Sequence, residues 1–268
     1  MSDVRQICLL GFGEVGQILA TDLMARGYSI SAWDVAVPMP GGQIENIRRG
    51  ISAIESVTGA DLVISAVTAD RTFSAAQSIV DGLSPGTWFM DMNSASPQTK
   101  KEAAATIAKA GGHYVEAAVM SPVPIRRLAT SILLGGPDAE GFEPIAHALG
   151  FTEAKTFSPI LGKASAAKMC RSIMVKGIEA LITESMLTAR QNGVEETVLT
   201  SLNDLFPGPD WPALSYYMIS RSIEHGIRRA EEMKEVALTV TEAGLSPFMS
   251  EATVKRHQLA PAFLDELR

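Results

Sequence analysis

The sequence predicts an α/β domain built on a doubly wound, mostly parallel sheet, followed by an all-α domain. Three observations predict it. An apolar run, Ile7-Cys8-Leu9-Leu10, closes in Gly11-Phe12-Gly13-Glu14-Val15-Gly16, and a helical pattern follows. Strand-like and helix-like stretches then alternate to about residue 157, the rhythm of βαβ units. From residue 162 onward the periodicity is helical with few breakers. The expected boundaries are 1–158 for the first domain and 159–268 for the second.

The first strand and its glycines carry the most chemistry. Strand, Gly-x-Gly-x-x-Gly and helix in succession make a dinucleotide-binding, Rossmann-type turn. Gly11 permits the tight turn, Gly13 keeps side-chain bulk away from a pyrophosphate, and Gly16 lets the helix pack closely. Phe12, Glu14 and Val15 lie between them, and the helix over 14–26 presents free N–H groups to the phosphates. A second strand over 28–33 closes in Asp34. An acid at that spacing bonds a ribose 2′-hydroxyl and repels a 2′-phosphate, so NAD is expected, with NADP as the alternative.

A turn-rich piece at 37–42 and a helix ending near Glu55 come next. The apolar run over 60–67 is a buried parallel strand. Val67 and Thr68 stand at its carboxyl end, where open α/β sheets hold ligands. A helix over 71–80 leads to a strand over 87–91 and then to Asn93-Ser94-Ala95-Ser96-Pro97. Ser96 and Pro97 fit the cap and first position of the next helix, which leaves Asn93 and Ser94 as unexplained polar groups at a strand end. A strand over 113–119 ends at Met120-Ser121-Pro122. A strand over 130–134, a helix to Leu149 and a strand over 151–157 close the sheet.

The long helix expected over 162–192 is apolar on nearly every face, the mark of a helix buried in its own chain or against a second subunit. Beyond it, breaks are expected at Pro207-Gly208-Pro209 with Pro212, at Gly226, at Gly244 and at Ser246-Pro247. Lys168, Arg171, Ser172 and Val175 share one face of the long helix. A lysine among small and apolar residues loses hydration, which favours its neutral form and suits it to proton transfer. A lysine snorkelling off a buried helix explains the same pattern.

The 268 residues carry a net charge of −7, with 46% hydrophobic and 20% charged residues. That balance disfavours a general nucleic-acid partner. No apolar run reaches the length of a membrane span. The opening Met1-Ser2-Asp3-Val4-Arg5 lacks a signal-peptide layout. Cys8 and Cys170 are expected as reduced packing residues of a cytoplasmic protein. His113, His147, His225 and His257 show no metal-ligand spacing, so no metal is expected and each is read as a surface or helix-end residue.

Four stations resemble the β-hydroxyacid dehydrogenases, the group containing 3-hydroxyisobutyrate dehydrogenase, tartronate semialdehyde reductase and 6-phosphogluconate dehydrogenase. They are Gly11 to Gly16, Asp91-Met92-Asn93-Ser94-Ala95-Ser96-Pro97, Glu116-Ala117-Ala118-Val119-Met120-Ser121, and Gly162-Lys163-Ala164-Ser165-Ala166-Ala167-Lys168. The resemblance implies hydride transfer between a hydroxyl carbon and a nicotinamide, with Lys168 as the proton carrier. It implies Asn93, Ser94 and Ser121 as holders of the carboxylate or hydroxyl of a small anionic substrate, Ser172 as the helper of Lys168, and a homodimer through the C-terminal helices.

Arg171, Arg228 or Arg229 is the expected anion partner, against a solvated helix face for the Arg228-Arg229 pair beside Glu231 and Glu232. Three positions depart from the family pattern. Ser172 replaces its asparagine, Met120-Ser121-Pro122 its Ser-Gly-Gly, and Arg228-Arg229-Ala230-Glu231-Glu232-Met233 its Lys-Asp-Leu segment. The C-terminal half resembles a less characterised branch of 6-phosphogluconate-dehydrogenase-like proteins. Two rival readings stand beside the dehydrogenase: an imine reductase, and a non-catalytic dinucleotide sensor.

Overall fold

The computed structural model of the protein describes residues 4–36 and 46–267. The turn expected at 37–42 therefore lies outside the described residues. The N-terminal half is an eight-stranded sheet in the order β3-β2-β1-β4-β5-β6-β7-β8. Its strands are β1 (Gln6–Leu10), β2 (Ser29–Trp33), β3 (Arg48–Arg49), β4 (Leu62–Ser65), β5 (Trp88–Asp91), β6 (His113–Val119), β7 (Ile132–Gly135) and β8 (Ala154–Ser158). All neighbouring pairs run parallel except β6 and β7. The doubly wound, mostly parallel sheet is thus the one expected.

Alternation along the strands builds two apolar layers. Ile7 and Leu9 of β1 face one way, with α1 (Glu14–Ala25) and α6 (Ala139–Leu149) supplying Leu19, Leu23, Phe142 and Leu149. Cys8 and Leu10 face the other way, with α2 (Ala53–Val57), α3 (Thr72–Gln77) and α4 (Pro97–Lys109) supplying Val57, Ala76 and Ile107. Burial on both faces explains why these strands read as unbroken apolar runs. It also pushes the Cys8 thiol up to about 12, so that residue is packing and not chemistry. Ser96 caps α4 by accepting from the Thr99 N–H, with Pro97 in the first turn, as its sequence position requires.

Between β2 and β4 the expected helix ending near Glu55 is replaced by β3 and the five-residue α2. Ser52 caps α2 through the Glu55 N–H. The helix expected over 71–80 is broken too: a 3-10 turn at Ala69–Arg71, α3, and a second 3-10 turn at Val80–Gly82. The short α5 (Val123–Arg126) follows β6.

The helical region comprises α7 (Lys163–Gln191), α8 (Glu195–Leu205), α9 (Trp211–Glu242), α10 (Phe248–Leu259) and a 3-10 stretch at Ala260–Leu267. Contacts divide the chain into two compact units, Met1–Met169 and Cys170–Arg268, so the division falls within α7. Gly226 does not break the chain as expected. It lies inside α9, where a Cβ would meet the His257 carbonyl oxygen at 2.3 Å. Its cost as a helix residue is accepted for close approach to α10. Pro212 occupies the first turn of α9, where proline is tolerated, with Asp210 capping the helix through the Ala213 N–H.

Two further expectations are corrected. Cys170 is exposed. His257 stands in the last turn of α10 but is fully buried, with neither ring nitrogen hydrogen-bonded. Burial, followed by the nearby Arg229 charge, lowers it to about 4. The unfolded chain takes up this proton near pH 6.5 and the folded chain only near 4, so stability is lost as pH falls through that window. At pH 5 the cost reaches about 2 kcal/mol. Urea midpoints at pH 7.5 and 5 should differ less in His257→Leu than in the wild type, and an equal difference in both would remove this assignment.

Candidate active site

The sheet order reverses at β1, which has β2 on one side and β4 on the other. The carboxyl ends of β1 and β4 therefore flank the switch point, where open α/β sheets bind ligands. Gly11 leaves β1 with φ +90°, and a Cβ there would stand 2.4 Å from the Ala66 carbonyl oxygen. A Cβ on Gly16 would meet the Gly11 carbonyl oxygen at 2.2 Å, whereas one on Gly13 would meet nothing within 4 Å. Two glycines hold the turn tight and the third leaves it open.

Gly13 opens α1 with no side-chain cap, unlike Ser96 on α4. The amides of Glu14, Val15 and Gly16 thus remain for another acceptor. The Glu14 side chain is exposed, and its charge would not help an anion here, so the backbone is the useful part of that residue. These features fit a dinucleotide: an open turn mouth, a left-handed glycine and uncapped amides.

Asp34 sits at the end of β2. Its carboxylate accepts from the Phe12 N–H at 2.6 Å and the Ala36 N–H at 2.8 Å. Two backbone donors leave a carboxylate with lone pairs to spare for ribose hydroxyls. The Arg49 guanidinium lies 4.5 Å above the Phe12 ring, a cation–π contact that brings a positive charge beside the same turn. Val67 donates its N–H to Asn93 Oδ1 at 2.7 Å. Thr68 is exposed, and its side chain makes no cap bond to the turn that follows.

The structure brings Lys168 and Ser94 together: Nζ donates to Ser94 Oγ at 2.6 Å, with both side chains half-buried. Ser94 follows β5, and Lys168 lies in the early turns of α7. Asn93 turns the other way. Its amide donates to Ser65 Oγ at 2.9 Å and accepts from Val67, and the residue is 3% exposed. It braces the ends of β4 and β5. Ser121 Oγ accepts from the Ser131 N–H at 2.9 Å and meets Thr130 Oγ1 at 2.9 Å, tying the β6–β7 connection. Arg171 is exposed and Ser172 buried, both in the second unit.

The two arginines of α9 behave differently. Arg228 pairs with Glu232 on an exposed face, as the solvated reading has it. Arg229 is buried and paired with Glu179 of α7. Burial pushes Glu179 up and Arg229 down against their mutual attraction.

Two buried acids were missed in the sequence. Asp91 is fully buried, bound to Lys100 Nζ at 2.7 Å and to the Tyr114 hydroxyl at 2.6 Å. Burial first, then Asp91, pushes Tyr114 well above the usual phenol range. Glu116, also fully buried, accepts the Gly162 N–H at 2.8 Å and the Ser165 N–H at the start of α7. The available signal was a charged residue inside an otherwise apolar strand.

Residues 6–162 match the family model described as the NAD binding domain of 6-phosphogluconate dehydrogenase, and residues 189–260 match a domain of unknown function. The NAD-dependent L-serine dehydrogenase of Pseudomonas aeruginosa is 26% identical over 222 residues, covering 80% of this chain and 74% of that one. A conserved hypothetical protein from Sinorhizobium meliloti 1021 is 35% identical, with TM-score 0.77 over 99% of this chain and 91% of that one. Mycobacterium tuberculosis 3-hydroxyisobutyrate dehydrogenase, solved with L-serine, shares the fold at TM-score 0.74 and 17% identity, covering 98% and 95% of the two chains.

Proposed function

We propose a proton carrier and a substrate class for this chain, which belongs to the β-hydroxyacid dehydrogenase superfamily and carries a divergent C-terminal domain. It is an NAD(P)-dependent dehydrogenase acting on a CH–OH group, with NAD as cofactor and NADP as the alternative. When bound, the nicotinamide supplies the hydride acceptor or donor. The amides of Glu14, Val15 and Gly16 and the open face of Gly13 hold the pyrophosphate, with the Phe12 N–H tying Asp34 to the turn. Asp34 takes the ribose hydroxyls, and Val67 and Thr68 line the strand end beside it.

The observation that carries the proton assignment is the 2.6 Å contact between Lys168 Nζ and Ser94 Oγ at the carboxyl end of β5. Ser94 fixes the amine by accepting from it, and its own hydroxyl hydrogen remains for a substrate oxygen. Lys168 accepts the substrate hydroxyl proton during oxidation and returns it during reduction. Ser172, one turn along α7, assists the amine. Ser121 holds the substrate carboxylate, with the amide of Asn93 keeping the strand ends in register. The substrate class is a small 3-hydroxy acid or its semialdehyde, supported by the serine and hydroxyisobutyrate dehydrogenases among the relatives.

A homodimer through α7 is part of the same reading. Met174, Ile178 and Leu181 recur at helical spacing and are 63%, 37% and 59% exposed in the single chain, an apolar stripe that a second copy would cover.

The test is a panel of 3-hydroxy acids, aldehyde acids and cyclic imines followed at the NADH absorbance with NAD and with NADP. Turnover of hydroxy or aldehyde acids supports the reading. Turnover of imines alone selects the imine reductase, and cofactor binding without any turnover selects the sensor. Within this panel Asp34→Asn should raise the NADP-to-NAD ratio of kcat/KM by about tenfold, equivalent to about 1.4 kcal/mol of relieved repulsion. Arg49, stacked on Phe12 beside the turn, supplies the positive charge for the added phosphate. An unchanged ratio would detach Asp34 from the ribose.

A further inference from the structure

We infer that Glu116 is the positioning residue for Lys168, setting the place of the amine through the start of α7 without touching substrate; the inference rests on Lys168 being the proton carrier. Glu116 sits in β6, opposite Gly135 of β7. It is fully buried, and a buried carboxylate requires strong partners. Both of its oxygens are engaged by one element: Oε2 accepts from the Gly162 N–H at 2.8 Å, and Oε1 accepts from the Ser165 N–H. Gly162 is the residue whose carbonyl receives the first α7 bond, from the Ala166 N–H. The carboxylate thus grips the amides that a helix N-terminus leaves unpaired, with its charge against the positive end of the dipole.

The surroundings are cut to fit this grip. A Cβ on Gly135 would stand 2.7 Å from Glu116 Oε2, so only glycine opposite leaves room for the carboxylate. Gly162 has φ +91°, and a Cβ there would come within 3.2 Å of Pro97 Cβ. The chain therefore enters α7 in a left-handed turn, against the start of α4, before Glu116 takes hold. Lys168 lies three residues beyond Ser165, about 4.5 Å along the helix axis. A slip or fraying of the first turn moves Nζ away from Ser94 directly, with no intervening loop to absorb it.

Fully buried, with each oxygen turned to a backbone amide, Glu116 is closed off from a ligand. Its effect on the reaction passes through α7, and a displacement of the amine by about 1 Å costs up to about 100-fold in rate. Glu116→Gln keeps the volume but offers one acceptor where two donors converge. Glu116→Asp keeps the charge but withdraws it by one methylene.

The experiment compares both variants with Lys168→Ala and with Phe151→Leu, a change in the apolar layer that holds Phe142 and Leu149. Expected for Glu116→Gln and Glu116→Asp is a fall in kcat of about 10- to 100-fold with the NADH dissociation constant unchanged. Phe151→Leu should lose thermal stability and keep its kcat. A crystal structure of Glu116→Gln without cofactor should show the Nζ to Ser94 Oγ contact opened from 2.6 Å. Wild-type kcat in either Glu116 variant, alongside an inactive Lys168→Ala, would overturn the positioning role alone. An active Lys168→Ala would remove the proton-carrier reading and this inference with it.

Discussion

Lys168→Ala is expected to lower kcat by about 10²- to 10⁴-fold, the contribution of a positioned acid–base group, while NADH binding is unchanged. Three facts concentrate the effect on this atom. The amine is half-buried and hydrogen-bonded to Ser94 at 2.6 Å. The serine stands at the end of β5, on the same sheet edge as the open glycine turn. The helix that carries the lysine is anchored by a fully buried carboxylate. Alanine is the strongest helix former, so the fold should accept the change. Lys168→Arg separates charge from proton transfer: guanidinium remains protonated and does not cycle, so this variant should be as slow as alanine. Small primary amines added to the alanine variant should restore part of the turnover. If Lys168→Ala keeps more than about a tenth of wild-type kcat, well outside the range for such a group, the chemistry lies elsewhere.

The N-terminal half was legible because its signals are local. Buried parallel strands read as apolar runs, as Leu62 to Ser65 does, and the glycine turn has fixed spacing. Ser96 and Pro97 announced α4 in two residues. Lys168 was visible as a lysine in small, apolar company and through its resemblance to a family motif; Ser94 was visible as a polar residue that capping left unused. Its pairing with Lys168 joins residues 74 positions apart, and nothing local encodes that.

The same reason hid the two buried acids and the Arg229 pair: Asp91 meets the Tyr114 hydroxyl 23 positions later, Glu116 meets the start of α7 46 positions later, and Arg229 meets Glu179 across 50. Such pairs are settled by which faces meet, not by spacing. Gly226 misled because helix propensity is a weak preference of about 1 kcal/mol, easily overridden where the His257 carbonyl passes this close. Cys170 and His257 were misjudged because burial follows the phase of the helix and not the residue type: His257 lines up with buried Ser250 and Thr253, and Cys170 with exposed Met174, Ile178 and Leu181. The carboxyl-end residues Asn93 and Ser121 had polar side chains to explain, and the structure spends them largely on bracing strand ends.

The second large effect concerns stability. Lys100→Met should cost the N-terminal unit about 3–5 kcal/mol, the penalty for stripping a buried charge of its partner. Lys100 and Asp91 are 1% and 0% exposed and 2.7 Å apart, and Lys100 Nζ also donates to the Asp91 carbonyl at 3.1 Å. Methionine fills the volume but leaves the carboxylate with only the Tyr114 hydroxyl and the Asn93 N–H. Hydrogen bonds to those neutral groups do not neutralise a charge in a dry interior. A domain whose whole stability is about 5–15 kcal/mol becomes marginal near 37 °C after such a loss. Adding Asp91→Asn removes the stranded charge and keeps an acceptor for Asn93, so the double variant should be more stable than Lys100→Met alone. Urea titration followed by tryptophan fluorescence would read this ordering, and a double variant weaker than the single would refute it. Arg228→Met gives the contrast: the arginine side chain is 57% exposed and Glu232 keeps its pair with Lys176, so the loss should be about 0–1 kcal/mol. Asp91 also holds the Asn93 N–H at 3.0 Å, one residue before Ser94. The ion pair therefore fixes the strand end that presents the serine to Lys168, and folded Lys100→Met should lose turnover at temperatures where its unfolding is still negligible.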